Sequence, residues 1–171
     1  MQGGSLTYTD ANSPLFYVNN STGYITLDDV AVNVASGILV NAAANDRWGT
    51  SGQNGGTVYL TATNQTLSGH FIADAISAIN LELTDSSSWT GAINANQEAS
   101  SSSLTLDASS TWTVTADSYL TCLSDPEGIS GTTIQNIIGN GHTVYYDAAN
   151  CKALNGVTYT LVGGGELKPL Q

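Results

Sequence analysis

Apolar and polar residues alternate in short runs along this chain, and the runs recur at a nearly constant distance. Leu104 follows Leu81 at the same distance at which Trp112 follows Trp89. Alternation with a period of two is typical of β-strands with one buried face. Ser, Asp and Asn residues, which favour turns, separate the runs. The pattern therefore predicts a repeating unit of short strands and turns.

The repeat extends towards the N-terminus with some slippage. The same offset, applied backwards, aligns Val58 and Leu60 with the two leucines at 81 and 83, and a slippage of one position aligns Leu67 with Trp89. Three alternating triplets then share columns: Leu67-Gly69-Phe71, Trp89-Gly91-Ile93 and Trp112-Val114-Ala116. A unit of roughly 20–25 residues is the length of one solenoid coil. Three strands and three turns per coil predict a parallel β-helix.

Stacking of such coils predicts which residues form the core. One coil cannot bury its inward face alone, but stacked coils place leucine on leucine and tryptophan on tryptophan. We therefore expect Trp89 and Trp112 to form a core column rather than a sugar-binding platform. Threonines occupy the outward positions of the same strands: Thr61, Thr63, Thr84, Thr90, Thr105, Thr113 and Thr115.

The whole chain, residues 1–171, is predicted to form one all-β domain. Coils are expected over about residues 3–140, interrupted by turn-rich loops at 45–56 and 124–131. A C-terminal cap is expected over about residues 141–171, because a solenoid must cover its last row of unpaired strand groups. Asn155-Gly156 and the run Gly163-Gly164-Gly165 are the turn and joint of this cap.

The charge balance limits the classes of partner. The 171 residues contain three Lys+Arg and fourteen Asp+Glu, a net charge of −11. Nucleic acids and anionic membranes bind basic patches, so we expect neither nucleic-acid binding nor membrane insertion. Solubility explains the acidic surface, and calcium binding stays open as an alternative; no other cofactor is expected.

The two cysteines and two glycosylation motifs suit a secreted protein. Cys122 and Cys151 lack the close spacing of zinc ligands, so they either form a disulfide or stay as two buried thiols. We expect the disulfide, joining the last coil to the cap. Asn20 and Asn64 begin Asn-x-Thr/Ser motifs and are candidate glycosylation sites in a eukaryotic secretory pathway.

Several segments resemble a family of large secreted proteins. They are "GGSLTYTDANSPLFYVNNSTGYITLDDV", "WGTSGQNGGTVYLTA", "LTLDASSTWTVTADSYLT" and "IIGNGHTVYYDA". Together they resemble the C-terminal part of adhesin-like right-handed parallel β-helix proteins of pectin-lyase-like fold. The resemblance implies a right-handed solenoid, a location outside the cell or on its surface, and a longer parent with further coils upstream. It implies no catalytic residues.

The residues themselves do not indicate catalysis. A polysaccharide lyase needs a strong base and cations at the uronate, whereas the chain has only Arg47, Lys152 and Lys168, spread along the sequence. A glycoside hydrolase needs paired carboxylates, and Asp28-Asp29, neighbours on a strand, point to opposite faces. We therefore expect no enzyme and no catalytic, cofactor or metal site. A lyase or hydrolase of pectin-lyase-like fold stays open as an alternative.

Two kinds of binding surface are predicted for an adhesin-like or structural module. The first is a carbohydrate-binding surface on exposed aromatic side chains that stack on the sugars of a cell-surface polysaccharide. Its candidates are Trp48, Tyr119, Tyr145 and Tyr146. The second is self-association, or contact with upstream coils, through the open N-terminal end over residues 3–27. Its candidates are Leu6, Tyr8, Leu15 and Tyr17.

Overall fold

The computed structural model describes residues 1–170, and the chain folds almost entirely into short β-strands. In chain order the strands are β1 (Ser5–Tyr8), β2 (Phe16–Val18), β3 (Ser21–Asp28), β4 (Ala31–Val34), β5 (Ile38–Ala42), β6 (Gly56–Thr63), β7 (Thr66–Ser68), β8 (His70–Ala73), β9 (Ala78–Thr84), β10 (Ser88–Gly91), β11 (Ser101–Leu106), β12 (Thr111–Val114), β13 (Ser118–Leu120), β14 (Cys122–Ser124), β15 (Ile129–Ser130), β16 (Thr133–Ile138), β17 (Thr143–Tyr146), β18 (Tyr159–Val162) and β19 (Glu166–Pro169). A short 3₁₀ helix spans Lys152–Leu154.

The strands stack in parallel on three faces of a β-solenoid of about seven coils, which confirms the predicted fold class. Face A contains β3, β6, β9, β11 and β14. Face B begins with β1 and β4 and continues through β7, β10, β12, β16 and β18. Face C contains β2, β5, β8, β13, β17 and β19; Ile93 links β8 to β13 where a regular strand is missing.

The core is a set of side-chain columns that run along the solenoid axis. Trp89 and Trp112 are fully buried, and their rings stack 4.9 Å apart at an angle of 7°. Each indole N–H donates to a carbonyl one coil away, Trp89 to Gly69 at 2.8 Å and Trp112 to Gly91 at 3.0 Å. The buried polar atoms of the column are therefore satisfied, as burial of an indole requires.

Glycine at position 91 allows this close stacking. A Cβ on Gly91 would lie 2.0 Å from the Gly69 carbonyl oxygen and 2.5 Å from Nε1 of Trp89. Any side chain there would separate the coils at the point where the indole N–H reaches its acceptor. The predicted column of alternating residues thus depends on a glycine as well as on its tryptophans.

The strand register confirms most of the predicted repeat. Leu81 pairs with Leu104 between β9 and β11. Trp89 pairs with Leu67 on one side and with Trp112 on the other. The predicted leucine and tryptophan columns are therefore present.

One part of the predicted repeat is wrong, because Leu81 pairs with Leu60 and not with Val58. The hydrogen bond from Thr61 to Glu82, which joins β6 to β9, spans 21 positions of the sequence. The bond from Ser86 to Ser109, one coil further on, spans 23 positions. The coil that starts at β6 therefore contains fewer residues than the coil that follows it, and its turns are shorter.

The C-terminal segment continues the coils where a cap was predicted. β17 pairs in parallel with β13 and then with β19, so face C extends to Pro169. β18 pairs in parallel with β16 on face B, and antiparallel with β19 across the glycine turn. Within residues 141–170 these strands are further layers of the faces, so the predicted separate cap is not shown.

The opposite end of the solenoid has a one-sided edge. β1, β2 and β3 each lie at the end of their sheet, and each pairs with one strand of the following coil. Residues 1–3 bond to the other edge of β3 at Thr26 and Asp28, and the rest of this edge carries backbone N–H and C=O groups that no strand within residues 1–170 pairs.

Candidate carbohydrate-binding surface

Three half-buried side chains form an outward ladder across the last layers of face C. Tyr119 on β13, Tyr145 on β17 and Lys168 on β19 occupy successive positions in register. The two phenol rings stack with centroids 4.8 Å apart and an angle of 9°. The Lys168 ammonium lies over the other side of the Tyr145 ring, 5.5 Å from its centroid. The parallel pairing of the coils therefore builds an ordered aromatic and cationic row.

A groove of about 390 Å³ runs beside this ladder. Its walls also include Gln97 from the loop before β11 and the last described residues, Pro169 and Leu170. The groove thus combines aromatic edges and aliphatic carbons with phenol, amide and ammonium groups. Such a mixture is what a sugar needs, because a pyranose has apolar C–H patches and a ring of hydroxyls.

The ladder limits how a ligand can contact its members. Tyr119 covers one face of the Tyr145 ring and Lys168 covers the other, so a sugar can reach only the edge of Tyr145. Lys168 also lies 3.5 Å from Glu166, and both side chains are partly exposed. This ion pair offsets much of the local positive charge, so the groove is close to neutral.

Tyr146 is a correction to the predicted set of sugar-stacking residues. It lies next to Tyr145 on β17, so its side chain points to the opposite face, and it is fully buried. Its hydroxyl donates to the Val157 carbonyl at 2.8 Å. Burial raises the pKa of the Tyr146 phenol, and nearby Tyr159 adds to this shift. Tyr146 belongs to the core.

Trp48 is exposed but lies away from the tyrosine ladder. Its side chain is 64% exposed in the loop between β5 and β6. The loop is ordered by Asn45, whose Oδ1 accepts from two backbone N–H groups, and by Asn54, whose amide donates to the Asn45 and Trp48 carbonyls at 2.7 and 2.8 Å. On face C, β8 and Ile93 separate the layer of β5 from β13. Trp48 and the ladder are therefore two separate candidate contacts.

A second exposed tyrosine pair lies on face A and was missed by the sequence reasoning. Tyr24 on β3 and Tyr59 on β6 are 79% and 43% exposed, and their rings stack 5.2 Å apart at 11°. Both occupy polar positions in alternating runs, which predicts outward side chains. Their wide separation in the sequence concealed their pairing, because the loop at 45–55 lengthens that coil.

The remaining candidates lie at the surface as isolated features. Asn20 and Asn64 are exposed turn residues with positive φ of 48° and 46°, and their glycosylation stays a prediction. Of the candidates for self-association, Leu6 and Leu15 are partly buried against the core, whereas Tyr8 and Tyr17 are exposed at the one-sided edge. They therefore offer two aromatic side chains rather than a continuous apolar surface.

The acidic and histidine side chains lie at or near the surface of the solenoid, except for the buried Asp125. Among residues 1–170 there is no group of three or more His, Cys, Asp or Glu side chains that could hold a metal ion. His70 accepts from the Ala92 N–H at 3.1 Å, and His142 lies 3.7 Å from the Asp117 carboxylate. Calcium binding, which also uses amide and carbonyl oxygens, stays a prediction.

Cys122 and Cys151 form a disulfide in the structure, with their Cα atoms 4.8 Å apart. Cys122 begins β14, the last strand of face A, and Cys151 precedes the 3₁₀ helix. The bond thus holds the segment after β17 against the end of face A. The buried side chain of Leu154, 1% exposed, packs in the same segment.

Comparison with known proteins gives no relative. No protein family, no curated protein and no solved structure matches the chain. No helix within the described residues is both long and apolar enough to cross a membrane.

Proposed function

We propose that this chain is a non-catalytic, adhesin-like β-solenoid module that acts outside the cell or on its surface and binds polysaccharide there. The carrying observation is the Tyr119–Tyr145–Lys168 ladder with its groove of about 390 Å³. Its pectin-lyase-like character belongs to the same proposal and is supported by the parallel coils.

The chemistry of the groove favours binding over catalysis. Glycoside hydrolysis uses two carboxylates that face each other across the scissile bond, at about 5–9.5 Å. The six residues that line this groove include no carboxylate. Its polar groups can instead exchange hydrogen bonds with sugar hydroxyls, and the phenol edges and Pro169 can contact C–H groups.

Affinity electrophoresis in gels that contain one polysaccharide each tests this function. We expect at least one plant, fungal or bacterial cell-wall polysaccharide to retard the protein, and the Tyr119→Ala variant to migrate faster in that gel. Gln135→Ala, at an exposed position of β16 on face B, is the control and should migrate like the original protein. Equal retardation of all three proteins, or none in any gel, would contradict the proposal.

A second candidate function is structural, and the one-sided edge supports it. The edges of β1 and β2, and the part of β3 before Thr26, can pair with strands of another copy or of upstream coils. Light scattering after size exclusion, over a dilution series, measures self-association. We expect the mass to fall towards one chain on dilution and Tyr17→Ala to shift this transition to higher concentration. A constant monomer at every concentration would exclude the self-association.

A further inference from the structure

Face A carries a second groove, between two outward rows of side chains. The first row follows the coils through Tyr24, Tyr59, Asn80 and Ser103, which are register partners on β3, β6, β9 and β11. The second row, two residues further along each strand, consists of Thr26, Thr61, Glu82 and Thr105. Because register partners lie one strand spacing apart, both rows run along the solenoid axis.

The groove between these rows has a volume of about 250 Å³. Leu60 and Leu81 contribute to its floor, while their side chains point into the core. Tyr59, Asn80 and Ser103 form one wall, and Thr61, Glu82 and Thr105 form the other. The groove crosses the strands, so a ligand in it would lie along the axis and contact a new layer of side chains at every coil.

Internal hydrogen bonds hold the walls in place. The Thr61 hydroxyl donates to Glu82 Oε2 at 3.2 Å, and the Asn80 amide donates to the Val58 carbonyl at 3.3 Å. These contacts leave Glu82 Oε1 and Asn80 Oδ1 as acceptors, with the hydroxyls of Ser103 and Thr105 beside them. Polar groups ordered in this way can bind sugar hydroxyls with little further loss of side-chain entropy.

The charge of the groove selects among polysaccharides. Glu82 is the one charged residue in its walls, and no Lys or Arg lines it. With a net charge of −11 on the whole chain, a uronate, sulfate or sialic acid would meet repulsion and no counter-charge. Neutral sugars meet no such penalty.

One end of the groove offers an aromatic face. Tyr59 covers one side of the Tyr24 ring, and the strand of Tyr24, β3, is the first strand of face A. The second side of the ring is open, which agrees with its exposure of 79%. A sugar at this end can stack on the ring face, whereas at Tyr145 both ring faces are covered.

We propose that face A binds a neutral, linear polysaccharide that lies along the solenoid axis between the two rows, with a sugar stacked on Tyr24. The site is separate from the Tyr119–Tyr145 groove on face C. The face A site rests on the proposed function only for the class of ligand, a polysaccharide. An experiment can therefore refute one of the two sites without refuting the other. The hydrogen-bonding groups of the two rows recognise the hydroxyls of this ligand, and the negative charge of the chain disfavours anionic polysaccharides.

The test uses affinity electrophoresis with neutral hydroxyethylcellulose, xylan and glucomannan and with anionic polygalacturonate. We expect retardation by at least one neutral polymer and none by polygalacturonate at this face. Tyr24→Ala and Asn80→Ala should each weaken the neutral interaction by roughly three- to tenfold, the loss expected for one aromatic or hydrogen-bonding contact. Gln135→Ala, at an exposed position of β16 on face B, is the control and should leave it unchanged, whereas Tyr119→Ala reports separately on the face C groove.

Other outcomes overturn the proposal in distinguishable ways. Neutral binding that Tyr119→Ala abolishes and the face A variants leave intact would place the site on face C, and only the face A site would fail. Binding of polygalacturonate lost in Asn80→Ala would refute the selection by charge. Light scattering tests whether a second copy of the chain occupies face A instead of a polysaccharide. If Tyr24→Ala alters the oligomeric mass and not the retardation, Tyr24 binds a second copy and the proposal is wrong.

Discussion

The side-chain amide of Gln65 pairs with the backbone of Val30 as a strand would. Nε2 of Gln65 donates to the Val30 carbonyl at 2.6 Å, and the Val30 N–H donates to Oε1 of Gln65 at 2.9 Å. Both residues are buried. The contact lies on face B between β4 and β7, where the regular ladder is interrupted. One side chain thus satisfies a buried donor and a buried acceptor that the neighbouring coil leaves unpaired.

The Gln65→Ala substitution should lower the free energy of unfolding by about 2–4 kcal/mol, because it leaves two buried backbone groups without partners. Urea unfolding followed by circular dichroism measures the loss. Gln135→Ala, an exposed glutamine on β16, is the control and should change stability by less than about 0.5 kcal/mol. Equal stability of the two variants would show that water replaces the Gln65 amide.

The tryptophan column should dominate the stability of the middle coils. Trp112→Ala removes a fully buried indole and its hydrogen bond to Gly91, and we expect a loss of about 3–5 kcal/mol. Trp48→Ala removes an exposed indole and should cost little. Thermal unfolding of both variants gives the comparison; a small loss for Trp112→Ala would mean that the coils collapse into the space.

The Cys122–Cys151 disulfide should resist alkylation. Without reductant, iodoacetamide should modify neither cysteine in intact-mass measurements, and both after reduction. The double variant Cys122→Ser with Cys151→Ser should unfold more easily by about 3–4 kcal/mol, the loop-closure value for a separation of 29 residues. Two thiols that react without reductant in the folded protein would disprove the bond.

Asp125 should make the stability fall as the pH rises. Burial raises the pKa of its carboxyl above 3.8; hydrogen bonds from Asn136 and Gly128 oppose this, and the charges of Asp107 and Glu127 add to it. The folded state therefore holds the proton more tightly than the unfolded state. The stabilisation that protonated Asp125 contributes is fully present below the pKa that this carboxyl has in the unfolded chain. It is lost as the pH rises from there through the higher pKa of the folded protein.

The geometry around Asp125 explains why a proton is favoured. Oδ1 accepts from the Asn136 amide and the Gly128 N–H, each at 3.1 Å. Oδ2 of Asp125 and Oδ1 of Asn136 are buried without a partner among residues 1–170, and both lie against Gly128. A proton on Oδ2 gives Asp125 a donor for the Asn136 oxygen, so one proton can satisfy both atoms.

The Asp125→Asn variant tests this pH dependence, because its amide carries a permanent donor. Its urea midpoint should change less than that of the original protein between pH 4 and pH 7. Asp46→Asn, at an exposed loop carboxylate, should retain the original dependence. If the original protein and Asp125→Asn show the same pH profile, the buried carboxyl does not titrate in this range.

The repeat could be predicted because core columns repeat their residue types. Leu81 over Leu104 and Trp89 over Trp112 keep one coil length, so alignment at a constant offset gave their true register. The offset failed at Leu60, since turns vary in length without affecting the strands they join. Turn length depends on local backbone conformation, which alternation does not report.

The binding surface was harder to predict, because outward residues are not repeated. Alternation shows that Tyr145 and Tyr146 point to opposite faces, but it does not tell which of them is buried. The neighbours in register settle this point: Tyr145 lies between Tyr119 and Lys168, so it faces out. The pairing of Tyr24 with Tyr59 was likewise hard to predict, because the loop at 45–55 lengthens the coil between them.

Because of the one-sided edge and the disulfide, the two ends of the solenoid should respond differently to mechanical tension. A pull on the chain should peel β1 and β2 first, because each of these two strands pairs with one neighbouring strand. At the other end the bond between Cys122 and Cys151 resists force after the surrounding strands have separated. Its separation of 29 residues withholds about 100 Å of chain from extension. A stretched molecule would therefore stop lengthening while a covalently closed loop remains beside the last coils.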